Sequence, residues 1–334
     1  MAQYQQIDGE WSNHVTSPRQ APYYKEEHLE VDLYQRDSDL RHRYLTCMKN
    51  PGHEKFLSVK ELTIDDLPPP LKHQSVFDYV TAFSKLVVRL KVKHTSSARH
   101  KEDPFRNFVG KCVWRGATGC VARDVDVTHV REVTCRDDSC ILAGSSHSVY
   151  GFINVRTNRH VICDVTEARN TEVEFFFDTP DRLGIVTLTG HDVISDADSE
   201  QCVTLQCVTH DTDFIRKIHR LVEEAKILCA AIPKSVKYAM TDFAIVVSHP
   251  HGTAKALSVG GLLEYQKVSN KSSGFKWLTK KRFKLRVTTY ITATCPGCTG
   301  APIVTGYDDS IEWWSMAHST ADLASGIQMA FTVS

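Results

Sequence analysis

The sequence predicts an all-β domain that follows an N-terminal extension and is interrupted by one inserted helix. From about Phe108 onward, short runs of β-branched and apolar residues are separated by turn residues. Many short strands at regular spacing are typical of a β-sandwich or a pair of barrels, and they argue against a parallel α/β sheet. One later segment breaks this series, because its apolar residues recur at the helical interval.

The N-terminal extension is expected to cover residues 1–107. Its first part, to about residue 70, is polar and irregular and ends in consecutive prolines at 68–70. Such a segment is more often a flexible or docked extension than a second fold. Apolar residues from Val76 to Val87 then recur at helical spacing and predict one amphipathic helix. The alternating run VVRLKVKHTS, from Val87, can begin a strand.

The rest of the chain, residues 108–334, carries the predicted strands. They lie in GCVARDVDVTHVREVTC, YGFINVRTNRHVI, TEVEFFFD, GIVTLTG, CVTLQCVTH, DFAIVVSH, KALSVGGLLEY, FKLRVTTYITATC and EWWSMAHS. The inserted helix is predicted from Asp213 to Ala230. Its apolar residues line one face, whereas charged residues such as Arg216 and Glu223 fall elsewhere.

Composition excludes several classes of partner. The 334 residues contain 40 Lys plus Arg and 40 Asp plus Glu, so no nucleic acid or acidic membrane is expected. No apolar run is long enough for a transmembrane helix, and the polar start MAQYQQIDGEWSNH lacks the features of a secretory signal. The 11 cysteines are an odd number. Most are expected to be reduced thiols in a cytoplasmic protein.

The string PGCTGAP, residues 296–302, is the most informative motif in the chain. It resembles the G-x-S-G-G-P nucleophile loop of chymotrypsin-like and HtrA-like serine proteases, with Thr299 in the serine position. In that loop two backbone N–H groups form the oxyanion hole, which stabilises the negatively charged oxygen of the transition state. The resemblance places these two groups on Gly297 and Thr299.

Three further segments resemble the same family in the expected order. TNRHV, residues 157–161, follows a predicted strand and resembles the T-N-x-H-V segment that presents the catalytic histidine, which gives that role to His160. ATGCV, residues 117–121, resembles the opening strand of the first barrel. DFAIVVSHPHGTAKALSVGG, from Asp242, resembles a strand–turn–strand unit of the second. The resemblance covers about residues 108–334 and implies a trypsin-like double six-stranded β-barrel with endopeptidase chemistry.

A carboxylate that orients the histidine completes the catalytic set of this family. In the family it opens a strand that is matched here by CVTLQC, from Cys202. Glu200 and Asp198 lie just before that strand. A glutamate would carry its carboxylate one methylene further out than an aspartate. Both residues are candidates for this role.

Two residues are candidates for the nucleophile. Thr299 has the matching register, but its β-methyl group restricts χ1 and crowds the attacking oxygen. Cys298 would shift the oxyanion position from Gly297 to Pro296, which has no N–H to donate. Losing one such donor costs about 3 kcal/mol. The sequence therefore favours Thr299 over Cys298 and predicts weak hydrolysis.

No cofactor or metal ion is predicted. Four cysteines fall in one region: Cys112, Cys120, Cys135 and Cys140. Their spacing is too loose for a zinc knuckle, and buried free thiols explain them better. His249 and His251 flank Pro250 at a spacing that a metal could use, but the match of this turn to the family favours a structural role. The basic stretch LTKKRFKLR, from Leu278, is explained by a solvated hairpin.

The function expected from these patterns is a peptidase-like binding module that hydrolyses peptides weakly or not at all. Its partner would be a polypeptide substrate or another protein. An active endopeptidase that uses Thr299 with His160 is the alternative, and one that uses Cys298 is a further alternative.

Overall fold

Two six-stranded antiparallel barrels organise the described part of the chain, and an N-terminal segment pairs with both. The structure, a computed structural model, describes residues 29–122, 140, 144, 151–194, 202–269, 284–306, 317–322 and 325–333. The predicted fold class is confirmed. The chain forms a trypsin-like double β-barrel that follows an N-terminal extension and is interrupted by one long helix.

The N-terminal segment contributes two short strands and two helices. They are β1 (Asp32–Tyr34), α1 (Asp37–Leu45), β2 (Leu57–Ser58) and α2 (Gln74–Ser84). Strand β1 pairs with the first barrel and β2 with the second, so the segment bridges the two barrels. Helix α2 confirms the prediction from apolar spacing, since Val76, Val80 and Phe83 are fully buried.

The first barrel begins upstream of residue 108, the start expected for the peptidase domain. Its strands are β3 (Val87–Val92), β4 (Trp114–Val121), β5 (Gly151–Asn158), β6 (Thr171–Phe175), β7 (Val186–Ile194) and β8 (Cys202–Thr209), with the short helix α3 (Val165–Arg169) before β6. The pairing runs β3–β4–β5–β8–β7–β6 and returns from β6 to β3. This return closes the barrel.

The second barrel repeats the same strand order. Helices α4 (Thr212–Ala231) and α5 (Lys234–Ala239) precede β9 (Phe243–Ser248), β10 (Ala256–Ser269), β11 (Lys284–Tyr290), β12 (Ile303–Val304), β13 (Ala317–Asp322) and β14 (Ile327–Val333). The pairing runs β9–β10–β11–β14–β13, β12 pairs with β9, and a bridge between Pro302 and Ala317 joins the two ends. Both rings therefore place their first to sixth strands in the order one, two, three, six, five, four.

Helix α4 is the inserted helix predicted from the sequence. Asp211 caps it by accepting a hydrogen bond from the Phe214 amide at 2.9 Å. The apolar face, which includes Phe214, Ile218 and Val222, is buried and packs against α2. Of the helices in the described ranges, none has the length and apolar character needed to cross a membrane.

The predictions for the four cysteines and for the basic stretch can be compared with the structure only in part. Cys120 and Cys140 are buried as expected, whereas the prediction is wrong for Cys112, which is exposed in the turn before β4. Cys135 lies outside the described residues. Most of the basic stretch, residues 278–283, also lies outside them, and its last residues begin β11.

Candidate active site

The loop that carries Thr299 follows β11 and is tied to the first barrel by hydrogen bonds to β4. The Thr118 amide donates to the Thr299 carbonyl at 2.8 Å, and the Thr118 hydroxyl donates to the Gly297 carbonyl at 2.8 Å. Gly297 and Gly300 have φ values of +96° and +85°. Such positive values favour glycine, because a Cβ atom is disfavoured there. The glycines of the motif thus allow its sharp turn between the barrels.

Two backbone N–H groups of this loop converge on one carbonyl oxygen, that of Glu30. The Gly297 N–H donates to it at 2.6 Å, and the Thr299 N–H lies at 3.5 Å. These are the two amides to which the family resemblance gives the oxyanion hole. Two fixed amides aimed at one oxygen can stabilise a developing oxyanion, and here only the Gly297 distance is that of a short hydrogen bond. Here a carbonyl from the N-terminal segment lies between them.

The side chain of Thr299 is buried and points at main-chain carbonyls. Its hydroxyl donates to the Leu29 carbonyl and lies 3.3 Å from the Ser319 carbonyl. A threonine hydroxyl has one proton to donate. Its proton is therefore directed at the backbone, and among the described residues no hydrogen bond joins it to His160.

The carboxylate of Glu30 lies in a buried polar pocket. It accepts hydrogen bonds from His318 Nε2 at 2.5 Å and from Lys49 Nζ. The Tyr290 hydroxyl lies 2.6 Å from the other ring nitrogen of His318. Burial alone would raise the pKa of Glu30, but His318 and Lys49 outweigh it and hold the pKa at about 2. The pocket therefore favours an ionised glutamate.

Lys49 and His318 reach this pocket from opposite ends of the chain. Lys49 Nζ also lies 3.1 Å from the Thr294 hydroxyl and 3.3 Å from the Gln328 side-chain oxygen. Sequence reasoning missed both residues as contacts of Glu30. The one available signal was the position of His318 in EWWSMAHS, a segment that the sequence predicts to be a strand.

His160 follows β5, and the Arg99 guanidinium donates to its carbonyl at 2.9 Å. Its ring Nε2 is buried and has no hydrogen-bond partner among the described residues. Burial lowers the pKa of His160 to about 3, with further lowering by Arg99, His318 and Arg115. A histidine that acts as the general base becomes a cation during acyl transfer. The surroundings described by the structure oppose that cation.

Cys298 is fully buried, and its thiol contacts the second barrel. The Sγ atom donates to the Ser248 hydroxyl at 3.2 Å and accepts a hydrogen bond from the Cys295 amide at 3.3 Å. Burial, together with the nearby charge of Glu30, raises the pKa of this thiol to about 12. Because the thiolate is the nucleophile, a raised pKa leaves this cysteine unreactive near neutral pH.

Two of the other candidate residues lie outside the described ranges, and two histidines lie within them. Glu200 and Asp198 lie outside the described residues. His249 is buried, with its Nδ1 atom 2.9 Å from the Thr253 carbonyl and its ring stacked on Phe177. His251 contacts a different set of residues in the N-terminal segment.

No protein-family model matches this sequence, and no curated protein matches it. Among solved structures, the chain is similar to the active form of the Rv3671c protease from M. tuberculosis, with 14% identity and a TM-score of 0.39. That similarity covers 77% of this chain and 78% of that chain.

Two further solved structures are similar at comparable levels. The inactive form of the Rv3671c protease has 15% identity and a TM-score of 0.37, over 76% of this chain and 86% of that chain. The thermostable serine protease AL20, from an extremophilic microorganism, has 9% identity and a TM-score of 0.35, over 75% and 91%. The double barrel of this chain is established by its own strand pairings.

Proposed function

We propose that this chain is a peptidase homologue of trypsin-like fold whose cleft binds a glutamate-containing peptide segment and hydrolyses it weakly or not at all. The segment bound in this structure belongs to the same chain and is centred on Glu30. A peptide from another polypeptide would have to displace it.

The observation that carries this proposal is the position of the Glu30 carbonyl between the amides of Gly297 and Thr299. The same residue places its carboxylate against His318 and Lys49. Charge-assisted hydrogen bonds of this kind are stronger and more directional than neutral ones. Two contacts on one residue, one to its backbone and one to its side chain, are what a cleft selective for glutamate requires.

Weak hydrolysis is inferred from the state of the two groups that would perform it. The Thr299 hydroxyl donates to backbone carbonyls, and its β-methyl group restricts the rotamers that could free it. His160 lies near the cationic side chains of Arg99 and Arg115, which disfavour its protonated form. A nucleophile and a base that do not contact each other cannot share a proton.

An active endopeptidase that uses Thr299 is the second candidate function. It is favoured by the pair of amides, because one well-placed oxyanion donor can contribute about 3 kcal/mol of transition-state stabilisation. If the N-terminal segment leaves the cleft, the Thr299 hydroxyl loses its Leu29 acceptor. The expected product would then be a peptide cleaved after glutamate. Cys298 is less well supported than Thr299, because its thiol is buried against Ser248.

A phosphonate probe with glutamate at the position of attack separates the two functions. We expect the unmodified chain to remain unlabelled, because the Glu30 carbonyl lies between the two amides and Thr299 has no hydrogen bond to His160. Thr299→Ser lacks the crowding methyl group but keeps both of these obstacles, so it should also remain unlabelled. Rapid labelling of Thr299 in the unmodified chain, with cleavage of a glutamate-containing peptide, would instead establish the endopeptidase.

Binding is tested with a fluorescent peptide that contains Leu-Glu-Val. Glu30→Ala empties the pocket formed by Lys49 and His318, so this variant should bind the peptide at least tenfold more tightly than the unmodified chain. Glu61→Ala is the matched control, because Glu61 is an exposed carboxylate of the same N-terminal segment. Equal affinity for peptides with glutamate and with alanine at the central position would contradict the proposal that Lys49 and His318 select glutamate.

A further inference from the structure

We propose that Cys47, His53, His251 and Cys295 bind one zinc ion that fastens the N-terminal segment to the second barrel. The four residues come from distant parts of the chain. Cys47 and His53 lie on either side of a turn after α1, His251 lies after β9, and Cys295 precedes the nucleophile-like loop. One ligand atom from each residue lies within 4.8 Å of all the others.

Two distances within this cluster fit a tetrahedral metal site, and the other ligand atoms lie within 4.8 Å of one another. Cys47 Sγ and Cys295 Sγ are 3.6 Å apart, and Cys295 Sγ is 3.6 Å from His53 Nε2. Zinc bonds of about 2.3 Å to sulfur and about 2.0 Å to nitrogen separate tetrahedral ligand atoms by roughly 3.3 to 3.8 Å. A disulfide would need an S–S distance of about 2.05 Å. Both cysteines are free thiols.

His251 is oriented toward the cluster by a carboxylate behind it. Its Nδ1 atom lies 3.2 Å from the Asp32 carboxylate, which is fully buried and also accepts a hydrogen bond from Arg43 at 2.9 Å. The other ring nitrogen, Nε2, is buried without a hydrogen-bond partner among the described residues. Zinc-binding imidazoles commonly donate their second nitrogen to a carboxylate in this way.

Hydrogen bonds hold the thiols of Cys47 and Cys295, and a ring contact holds the imidazole of His53. The Asn50 amide lies 3.4 Å from Cys47 Sγ, and the Asn50 side-chain amide donates to Cys295 Sγ at 3.1 Å. Hydrogen bonds to an ionised acceptor are stronger than those to a neutral one, so these donors would stabilise thiolate charge. The His53 ring stacks on Tyr44 with centroids 3.8 Å apart and planes 9° apart.

The chemistry of the donors selects zinc among the common metal ions. Two sulfurs and two imidazoles form the Cys₂His₂ set that is typical of structural zinc sites. Magnesium and calcium prefer oxygen ligands, and none of the four residues offers one. Four protein ligands leave no position for water or substrate. The site is therefore structural rather than catalytic.

A metal at this position would connect the N-terminal segment to the candidate active site. Lys49, which binds the Glu30 carboxylate, lies between Cys47 and His53 in the sequence. On the barrel side, the His251 amide donates to the Pro296 carbonyl at 2.5 Å, next to Gly297. Binding zinc would thus fix the position of Lys49 relative to the amide pair of Gly297 and Thr299.

Metal analysis of the full-length chain tests this proposal. We expect one zinc per chain after purification without chelator. After the zinc is removed, cobalt(II) should produce a thiolate-to-cobalt charge-transfer band and the intense visible bands of tetrahedral cobalt. Cys47→Ser and Cys295→Ser should lose the zinc and the tetrahedral spectrum. Asp32→Asn should bind cobalt about 10- to 100-fold more weakly, because it perturbs the orientation of His251.

Cys112→Ser is the matched control, since Cys112 is an exposed thiol distant in sequence from the cluster, and it should keep both signals. The cobalt titration of the unmodified chain does not depend on whether a variant folds. Absence of zinc together with absence of tetrahedral cobalt bands in that chain would overturn the proposal.

Discussion

His318 donates a hydrogen bond through Nε2 to the carboxylate of Glu30, 2.5 Å away, although the two residues are 288 positions apart in the sequence. The two side chains are 0% and 2% exposed. Because both are removed from water, each depends on the other to satisfy its polar atoms. This contact joins the N-terminal segment to strand β13 in the candidate cleft.

Removing the Glu30 carboxylate should destabilise the fold. Glu30→Ala leaves His318 without its partner and removes the anion beside Lys49, and breaking a buried ion pair costs about 3 to 5 kcal/mol. Glu30→Gln keeps the size and one acceptor, so it should cost less. Urea unfolding measures both effects. The exposed control Glu61→Ala should change the free energy of unfolding by less than about 0.5 kcal/mol. If Glu30→Ala is as stable as the control, the pocket does not hold the segment.

Acid should weaken the same contact. The pKa of Glu30 falls from 4.5 to about 2 on folding, because burial, which raises it, is outweighed by His318 and Lys49. A lowered folded pKa contributes stability that is complete above pH 4.5 and disappears as the pH falls toward 2. The shift corresponds to roughly 3 kcal/mol. The difference in unfolding free energy between the unmodified chain and Glu30→Gln should therefore shrink below pH 4.5. A difference that stays constant to pH 2.5 contradicts this.

The imidazole of His160 should stay neutral across the physiological range. Its pKa is lowered from 6.5 to about 3, chiefly by burial. A lowered histidine pKa means that its contribution to stability is complete above pH 6.5 and is lost as the pH falls toward 3. Nitrogen-15 NMR of labelled histidine, assigned with His160→Ala, measures the titration directly. A midpoint near 7 would indicate a carboxylate behind the ring, in the role predicted for Glu200 or Asp198.

Adding a methyl group at Gly297 should disrupt the amide pair. A Cβ there would lie 2.5 Å from the His249 carbonyl and 2.9 Å from the His251 amide, at a φ of +96°. Gly110 is the matched control, since its φ is +75° and a Cβ added there would meet nothing within 4 Å. Left-handed backbone alone costs about 1 to 2 kcal/mol for a residue with a side chain.

We therefore expect Gly110→Ala to lose about 1 kcal/mol of stability and Gly297→Ala to lose more than about 3 kcal/mol. Thermal or urea unfolding of the two variants provides the comparison. Equal losses would mean that the backbone around His249 moves readily to accept the methyl group.

Much of the fold could be predicted from local patterns. The apolar spacing at Val76 and Val80 predicted α2, and the similar pattern after Asp213 predicted α4. Helical and strand periodicities report which face of a segment packs on the core, so they are visible in a short window of sequence. The closure of the first barrel cannot be predicted from a short window, because it depends on pairing between strands that are distant in the sequence. Arg89 of β3, for example, pairs with Thr118 of β4 on one side and with Glu174 of β6 on the other.

The candidate site, too, could be predicted only in part from local patterns. The motif at 296–302 predicted a sharp turn with amides from Gly297 and Thr299, since glycine and proline act on the backbone locally. No local pattern indicated that the Glu30 carbonyl would lie between those amides. The proximity of Cys47 and His53 to His251 could not be predicted either, because both residues lie far from His251 in the sequence.

By itself, the sequence determined the all-β class, the position of the long helix and the glycine-dependent turn that carries Thr299. Each depends on interactions between residues close together in the chain. Only the tertiary structure decided that the N-terminal segment enters the cleft, that His318 and Lys49 share one carboxylate, and that the Thr299 hydroxyl faces backbone carbonyls. These contacts form because buried polar groups must find partners, and the packing of two barrels determines which partners are within reach.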